Sequence, residues 1–67
     1  MIENRIKVLR AEKGFTQEDL AEKVGVTRQT ILAIEKNKYV PSLLLAFRIA
    51  REFGLEVEEV FSFKNEK

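Results

Sequence analysis

Between residues 16 and 35 the chain reads TQEDLAEKVGVTRQTILAIE, two apolar-patterned stretches parted by one glycine. Leu20, Ala21 and Val24 share a helical face before Gly25, and Ile31 and Ile34 share another after it. Thr16 and Asp19 have the spacing of a capping box, with Asp in place of the usual Glu, and Thr27 can cap the second stretch. Glu18 and Asp19 lie where a helix dipole is positive, so the acidic cluster is explained as helix-start chemistry. Gly25 accepts a positive φ at no steric cost, which lets the chain reverse without a long loop.

These features predict two short helices at an angle, with small Ala21 allowing close approach and Val26, Ile31 and Ile34 filling the inside of the bend. That arrangement is a helix-turn-helix, spanning residues 16–35 with its second helix at about 28–36. Elsewhere, Gly14, Pro41 and Gly54 punctuate apolar residues that also recur at helical spacing. Ile2, Ile6 and Leu9 predict a first helix over about 3–13, stopped by Gly14. Residues 36–41, KNKYVP, form a loop. Ser42 caps a fourth helix whose apolar face is Leu43, Leu45, Ala46, Ile49, Ala50 and Phe53, closed by Gly54. A short fifth helix is expected at 57–61, and the alternation of Phe61, Ser62 and Phe63 also allows a short terminal strand. The class is all-α, a compact five-helix bundle.

With 67 residues the chain makes a single domain, 1–67. A domain this small buries only about 60% of its unfolded surface. It has no Cys and no His, which removes disulfide staples and nearly every zinc or iron site, so no metal and no cofactor are expected. The net charge of +1 supplies no global attraction to nucleic acid or membrane. Charge is nevertheless segregated. Residues 1–13 balance to +2, residues 16–23 to −2, residues 27–38 to +2 and the last 25 to −1. The N-terminus is charged from Glu3 onward, and the longest apolar run is Leu43–Phe47, far below the ~20 residues that span a bilayer. A soluble, cytoplasmic domain without membrane contact is the expectation.

TQEDLAEKVGVTRQTILAIEKNKYVPS resembles the Xre/Cro-type helix-turn-helix regulators of phages and prokaryotes. The likeness covers residues 3–61, including LRAEKGFTQEDLA, VGVTRQTILAIE and the PSL…A…IA…FG of the fourth helix. The ending VEEVFSF is similar to that of the very small, stand-alone dimeric repressors of this family. The resemblance implies the phage-repressor DNA-binding fold. It also implies that the second helix of the motif enters the major groove with its first turn toward base edges.

By position, the groove-facing residues would be Thr27, Arg28, Gln29 and Ala33. The chemistry agrees: Arg offers a fork for guanine O6 and N7, Gln pairs with adenine N6 and N7, and Ala suits a thymine methyl. Gln17, in the first turn of its helix, would anchor a phosphate, as the family's residue there commonly does. Thr30, Asn37, Lys38 and Tyr39 would clamp the DNA backbone on the other side. The family often pairs an Arg of helix one with a Glu ending the recognition helix. Arg10 and Glu35 stand at those positions, which makes them structural rather than DNA-contacting.

Apolar residues are in surplus: Val40, Leu44, Phe47, Val57, Val60, Phe61 and Phe63 exceed what a monomer of this size would bury. They predict a two-fold homodimer interface, whose paired recognition helices would read an inverted repeat. Double-stranded DNA and a second copy of the chain are therefore the expected partners, and repression the expected outcome. The competing reading is a protein-interaction module, an antitoxin or adapter, using the same fold through its apolar surface. An enzyme is disfavoured, since there is no His, no Cys, one Tyr and no phosphate loop.

Overall fold

A computed structural model describes residues 2–63. In chain order the elements are β1 (Ile2–Asn4), α1 (Ile6–Lys13), α2 (Gln17–Val24), α3 (Arg28–Glu35), α4 (Leu43–Glu52), α5 (Val57–Val60) and β2 (Phe61–Phe63). Each helix start is closed by a local rule. Thr16 accepts from the Asp19 amide while Asp19 accepts from the Thr16 amide, both at 2.9 Å, so α2 begins on a full capping box. Thr27 Oγ1 accepts from Thr30 N at 3.3 Å to open α3, and Ser42 Oγ accepts from Leu45 N at 3.1 Å to open α4. Gly25 ends α2 at φ 80°, and Val26 N donates back to Ala21 O at 2.9 Å, which makes the turn tight.

The first helix differs from the expectation. Residues 2–4 form a strand that pairs antiparallel with β2, Ile2 opposite Phe63, Glu3 opposite Ser62 and Asn4 opposite Phe61. Helix α1 therefore begins at Ile6, where the Asn4 carboxamide oxygen accepts from Ile6 N at 3.1 Å. Ile2 fits an i−4 helical position in sequence yet packs on the core from a strand, because both arrangements bring it to the same apolar surface. The terminal strand at 61–63 is present, and its partner is the segment read as helix.

The core joins Ile6 and Leu9 of α1, Leu20, Ala21 and Val24 of α2, Ile31 and Ile34 of α3, four residues of α4, and Phe53, Val60 and Phe61. No polar or charged residue among those described is fully buried. Ala21 is 3% exposed at the bend between α2 and α3, where its small side chain lets the two helices close on each other.

The expected surplus of apolar residues divides in two. Val60 and Phe61 are only 1% and 8% exposed and belong to the core of the chain itself, so their burial needs no second copy. Val60 is the buried face of α5, and Phe61 is brought inward where β2 pairs with β1, a partner that a chain read as beginning in a helix does not anticipate. Val57 is partly buried against the core. The outward remainder is Val40, Leu44, Phe47 and Phe63, joined by Leu43, which the sequence reading assigned to the inner face but which is 71% exposed.

Candidate nucleic-acid interface

Helix α3 is two-faced. Ile31 and Ile34 point into the core, 0% and 1% exposed, while Arg28 and Gln29 are exposed. Ala33 is half-exposed, and so is Leu32, one turn beyond Arg28. The sequence reading leaves Leu32 out, although the spacing of four from Arg28 was enough to find it. Neither Arg28 nor Gln29 makes a side-chain hydrogen bond or ion pair with any described residue. Thr27 and Thr30 are occupied locally: besides capping, their hydroxyls lie 3.2 Å apart.

The other end of α3 is tied down. Arg10 Nε donates to Glu35 Oε2 at 2.6 Å, and Arg10 Nη2 donates to Oε1 at 3.3 Å, a bidentate pair with side chains 14% and 8% exposed. Arg10 Nη1 also donates to the Phe15 carbonyl at 3.0 Å. Gln17 Nε2 donates to Glu35 Oε1 at 3.0 Å. One carboxylate thus collects donors from α1 and α2, and the start of α2 is locked to the end of α3. Gln17, expected on a phosphate, spends one amide hydrogen inside the protein; a primary amide has two.

Beyond Glu35 the helix closes with Asn37 at φ 59°, the one non-glycine residue with positive φ among those described. Asn37 N donates to Ile34 O at 3.0 Å and Lys38 N to Ala33 O at 2.9 Å, the paired bonds of a Schellman motif. Asn4 supports it: Asn4 Nδ2 donates to Ile34 O at 2.9 Å and to Asn37 Oδ1 at 3.1 Å. Lys36, Asn37, Lys38 and Tyr39 are all exposed.

The electrostatics follow from this arrangement. Glu35 is the single acidic residue between positions 28 and 38, and it is turned inward onto Arg10. The outward charges of that segment are then all cationic, Arg28, Lys36 and Lys38. A run of cations along an exposed helix and its following loop is what a phosphate backbone attracts, although the whole chain carries only +1. No helix of the described residues is long and apolar enough to cross a membrane. Among them, no group of three or more Asp, Glu, Cys or His gathers to hold a metal.

The family profile for helix-turn-helix proteins matches residues 6–60. This chain belongs to the helix-turn-helix family, among its Xre/Cro-type transcription regulators. It is 53% identical over 66 residues to an HTH-type transcriptional regulator of Methanocaldococcus jannaschii, a match covering 98% of this chain and 100% of that one. The cryptic phage CTXphi transcriptional repressor RstR of Vibrio cholerae is 34% identical over 62 residues, covering 92% of this chain and 56% of the repressor. Among solved structures, the biofilm master regulator SinR in complex with DNA superposes with a TM-score of 0.73 at 34% identity, covering 81% of this chain and 87% of that one. The helix-turn-helix motif of this member is α2, the Gly25 turn and α3, and its brace is the Arg10–Glu35–Gln17 network.

Proposed function

We propose that this helix-turn-helix chain is a repressor that binds a specific double-stranded DNA sequence as a homodimer in the cytoplasm, reading an inverted repeat with α3. The observation that carries the reading is the pair Arg28 and Gln29, both exposed and without a partner among the described residues, at the start of a helix whose far end is braced. Exposed side chains that pair with no described residue are available to base edges, and a bidentate Arg–guanine or Gln–adenine contact discriminates by about 1–3 kcal/mol. Thr27 and Ala33 add shorter contacts to the groove, Ala33 toward a thymine methyl. Gln17 gives its second amide hydrogen to a phosphate while Glu35 holds the first, and Thr30, Asn37, Lys38 and Tyr39 contact the backbone beyond α3.

The dimer face is the apolar strip of Val40, Leu43, Leu44 and Phe47, extended by Val57 and Phe63. Val60 and Phe61 support it from within the core. A two-fold axis through this strip would set two copies of α3 about 34–36 Å apart for successive major grooves. The same exposed strip is what an antitoxin or adapter would use, so the decisive experiment separates the two functions. Fluorescence anisotropy is measured on duplex taken from upstream of the chain's own gene, and on the best duplex selected from a random pool, with excess competitor at two salt concentrations. Selective binding that weakens with salt and disappears in Arg28→Ala supports the DNA reader. Binding no better than to random DNA, for both duplexes, would refute it and leave the apolar strip as a protein-docking surface.

A further inference from the structure

We propose that Asn4 is a positioning residue for DNA binding, acting through the Asn37–Lys38 segment that follows the recognition helix. The proposal rests on the reading of α3 as the helix that enters the groove. Asn4 lies on β1, far in sequence from the interface, yet its side chain is the meeting point of three elements. Its carboxamide oxygen accepts from Ile6 N at 3.1 Å, and its nitrogen donates to Ile34 O at 2.9 Å and to Asn37 Oδ1 at 3.1 Å, across 30 and 33 residues of chain. Both amide hydrogens are thereby used, one for each acceptor.

The contact with Asn37 has a consequence for polarity. A carboxamide has an acceptor end and a donor end. Asn4 engages the acceptor end of Asn37, which leaves the NH2 group of this exposed residue without a partner among the described residues. That is the end a phosphate can accept from; the reverse orientation would present an oxygen to an anion. Asn37 is also held at φ 59°, a conformation that costs a non-glycine residue energy unless its surroundings maintain it. Beneath it lies a cleft of about 170 Å³ lined in part by Ile2, Asn4, Ile34, Asn37 and Tyr39, so the loop is not packed solidly from below. Hydrogen bonds rather than close packing fix it there, and Asn4 supplies the side-chain ones.

Asn4 itself is held through the terminal sheet: its backbone is paired with Phe61, which is buried in the core, and beside it Arg5 N donates to Val60 O at 2.9 Å. The terminal sheet is therefore the anchor, and Asn4 the arm that reaches from it to the phosphate-facing loop.

The test is a double-mutant cycle on the duplex selected by the wild-type chain, at a temperature where circular dichroism shows every variant folded. Asn4→Asp keeps the acceptor that starts α1 but removes both donations; Asn4→Ala removes all three bonds without adding charge. Each is combined with Asn37→Ala and Lys38→Ala together. The expected result is a loss of affinity of about tenfold for either Asn4 variant in the wild-type background, and less than twofold when Asn37 and Lys38 are already alanine. A residue that only supported the fold would cost the same in both backgrounds, and that result overturns the proposal, as does wild-type affinity in both Asn4 variants. Should Asn4→Ala not fold, Asn4→Asp alone decides. Arg28→Ala is run alongside: if it binds the selected duplex as the wild type does, the reading of α3 fails, and this failure is distinct from one confined to Asn4.

Discussion

The two ends of α3 are built on opposite plans. At its start, Thr27 caps the helix with its own hydroxyl, and Arg28 and Gln29 pair with no described residue. At its end, Glu35 gathers Arg10 and Gln17, and Asn37 is held by Asn4. One end is left chemically open and the other is tied to three different parts of the chain. The difference shows how a small domain aims flexible side chains: rigidity is placed a helix length away from the residues that must make new contacts. A brace at the open end would compete for the donors proposed to read the bases.

Breaking the tied end should have the largest effect. Glu35→Ala leaves Arg10 partly buried with no carboxylate, and removing one partner of such a pair costs about 3–5 kcal/mol when it is fully buried. Here, with side chains 14% and 8% exposed, the lower end of that range is expected. In a domain of this size about 1 kcal/mol moves the melting temperature by roughly 4–8 °C. Thermal unfolding followed by circular dichroism should thus fall by more than about 10 °C. Glu22→Ala, at an exposed position on α2, should shift it far less; equal shifts would mean that the brace contributes nothing.

Emptying the open end should do the reverse. Arg28→Ala with Gln29→Ala is expected to weaken binding to the selected duplex by at least about a hundredfold, two base contacts at about 1–3 kcal/mol each. The melting temperature should stay within about 2 °C, since surface substitutions of this kind cost little. A large melting shift would show that the open end also carries structure. Next in size, Leu44→Asp with Phe47→Asp should convert the proposed dimer to monomer in sedimentation or light scattering and reduce affinity for an inverted repeat much more than for a single half-site. An unchanged mass would remove the proposed face.

The smallest effect concerns the start of α2. The Thr16 amide, and then its hydroxyl, hydrogen-bond Asp19 and hold its carboxyl below the ordinary carboxylate value. A carboxyl with a lowered pKa in the fold adds stability that is present above its unfolded value, about 3.9, and is lost as pH falls through the folded one. The melting temperature of the wild type should therefore exceed that of Asp19→Asn at neutral pH. The gap should narrow below about pH 4; a gap independent of pH would show that the capping box does not depend on the charge.

The features legible in the sequence are those governed by near neighbours. Thr16 with Asp19, Thr27, Ser42 and Gly25 close or turn helices through bonds to residues within five positions, and those elements stand where the pattern places them. The class and the two-faced character of α3 followed from spacing alone. Hidden were the features that depend on distant residues. Strand β1 has its partner at the far end of the described chain, and Ile2 satisfied a helical period just as well. Asn37 gave no sign of a left-handed cap in a stretch that reads as plain loop, and nothing local to Asn4 points to Ile34. The burial of Val60 on α5 and of Phe61 against β1 is likewise hidden, because the strand that pairs with 61–63 lies at the other end of the described chain.

The pairing of Ile2 with Phe63 also says something about time. Closing a loop that encloses almost the whole chain carries an entropic cost that grows with its length, and contacts between distant residues form slowly. The packing of α2 against α3 and against α4 depends on much shorter closures. The terminal strands should then be the last unit to assemble and the first to open, with amides that exchange with solvent sooner than those of the helical core. Because Asn4 sits on one of those strands, each brief opening releases its grip on the end of α3. The order of the loop that follows α3 would be set by how often the most distant pairing among the described residues lets go.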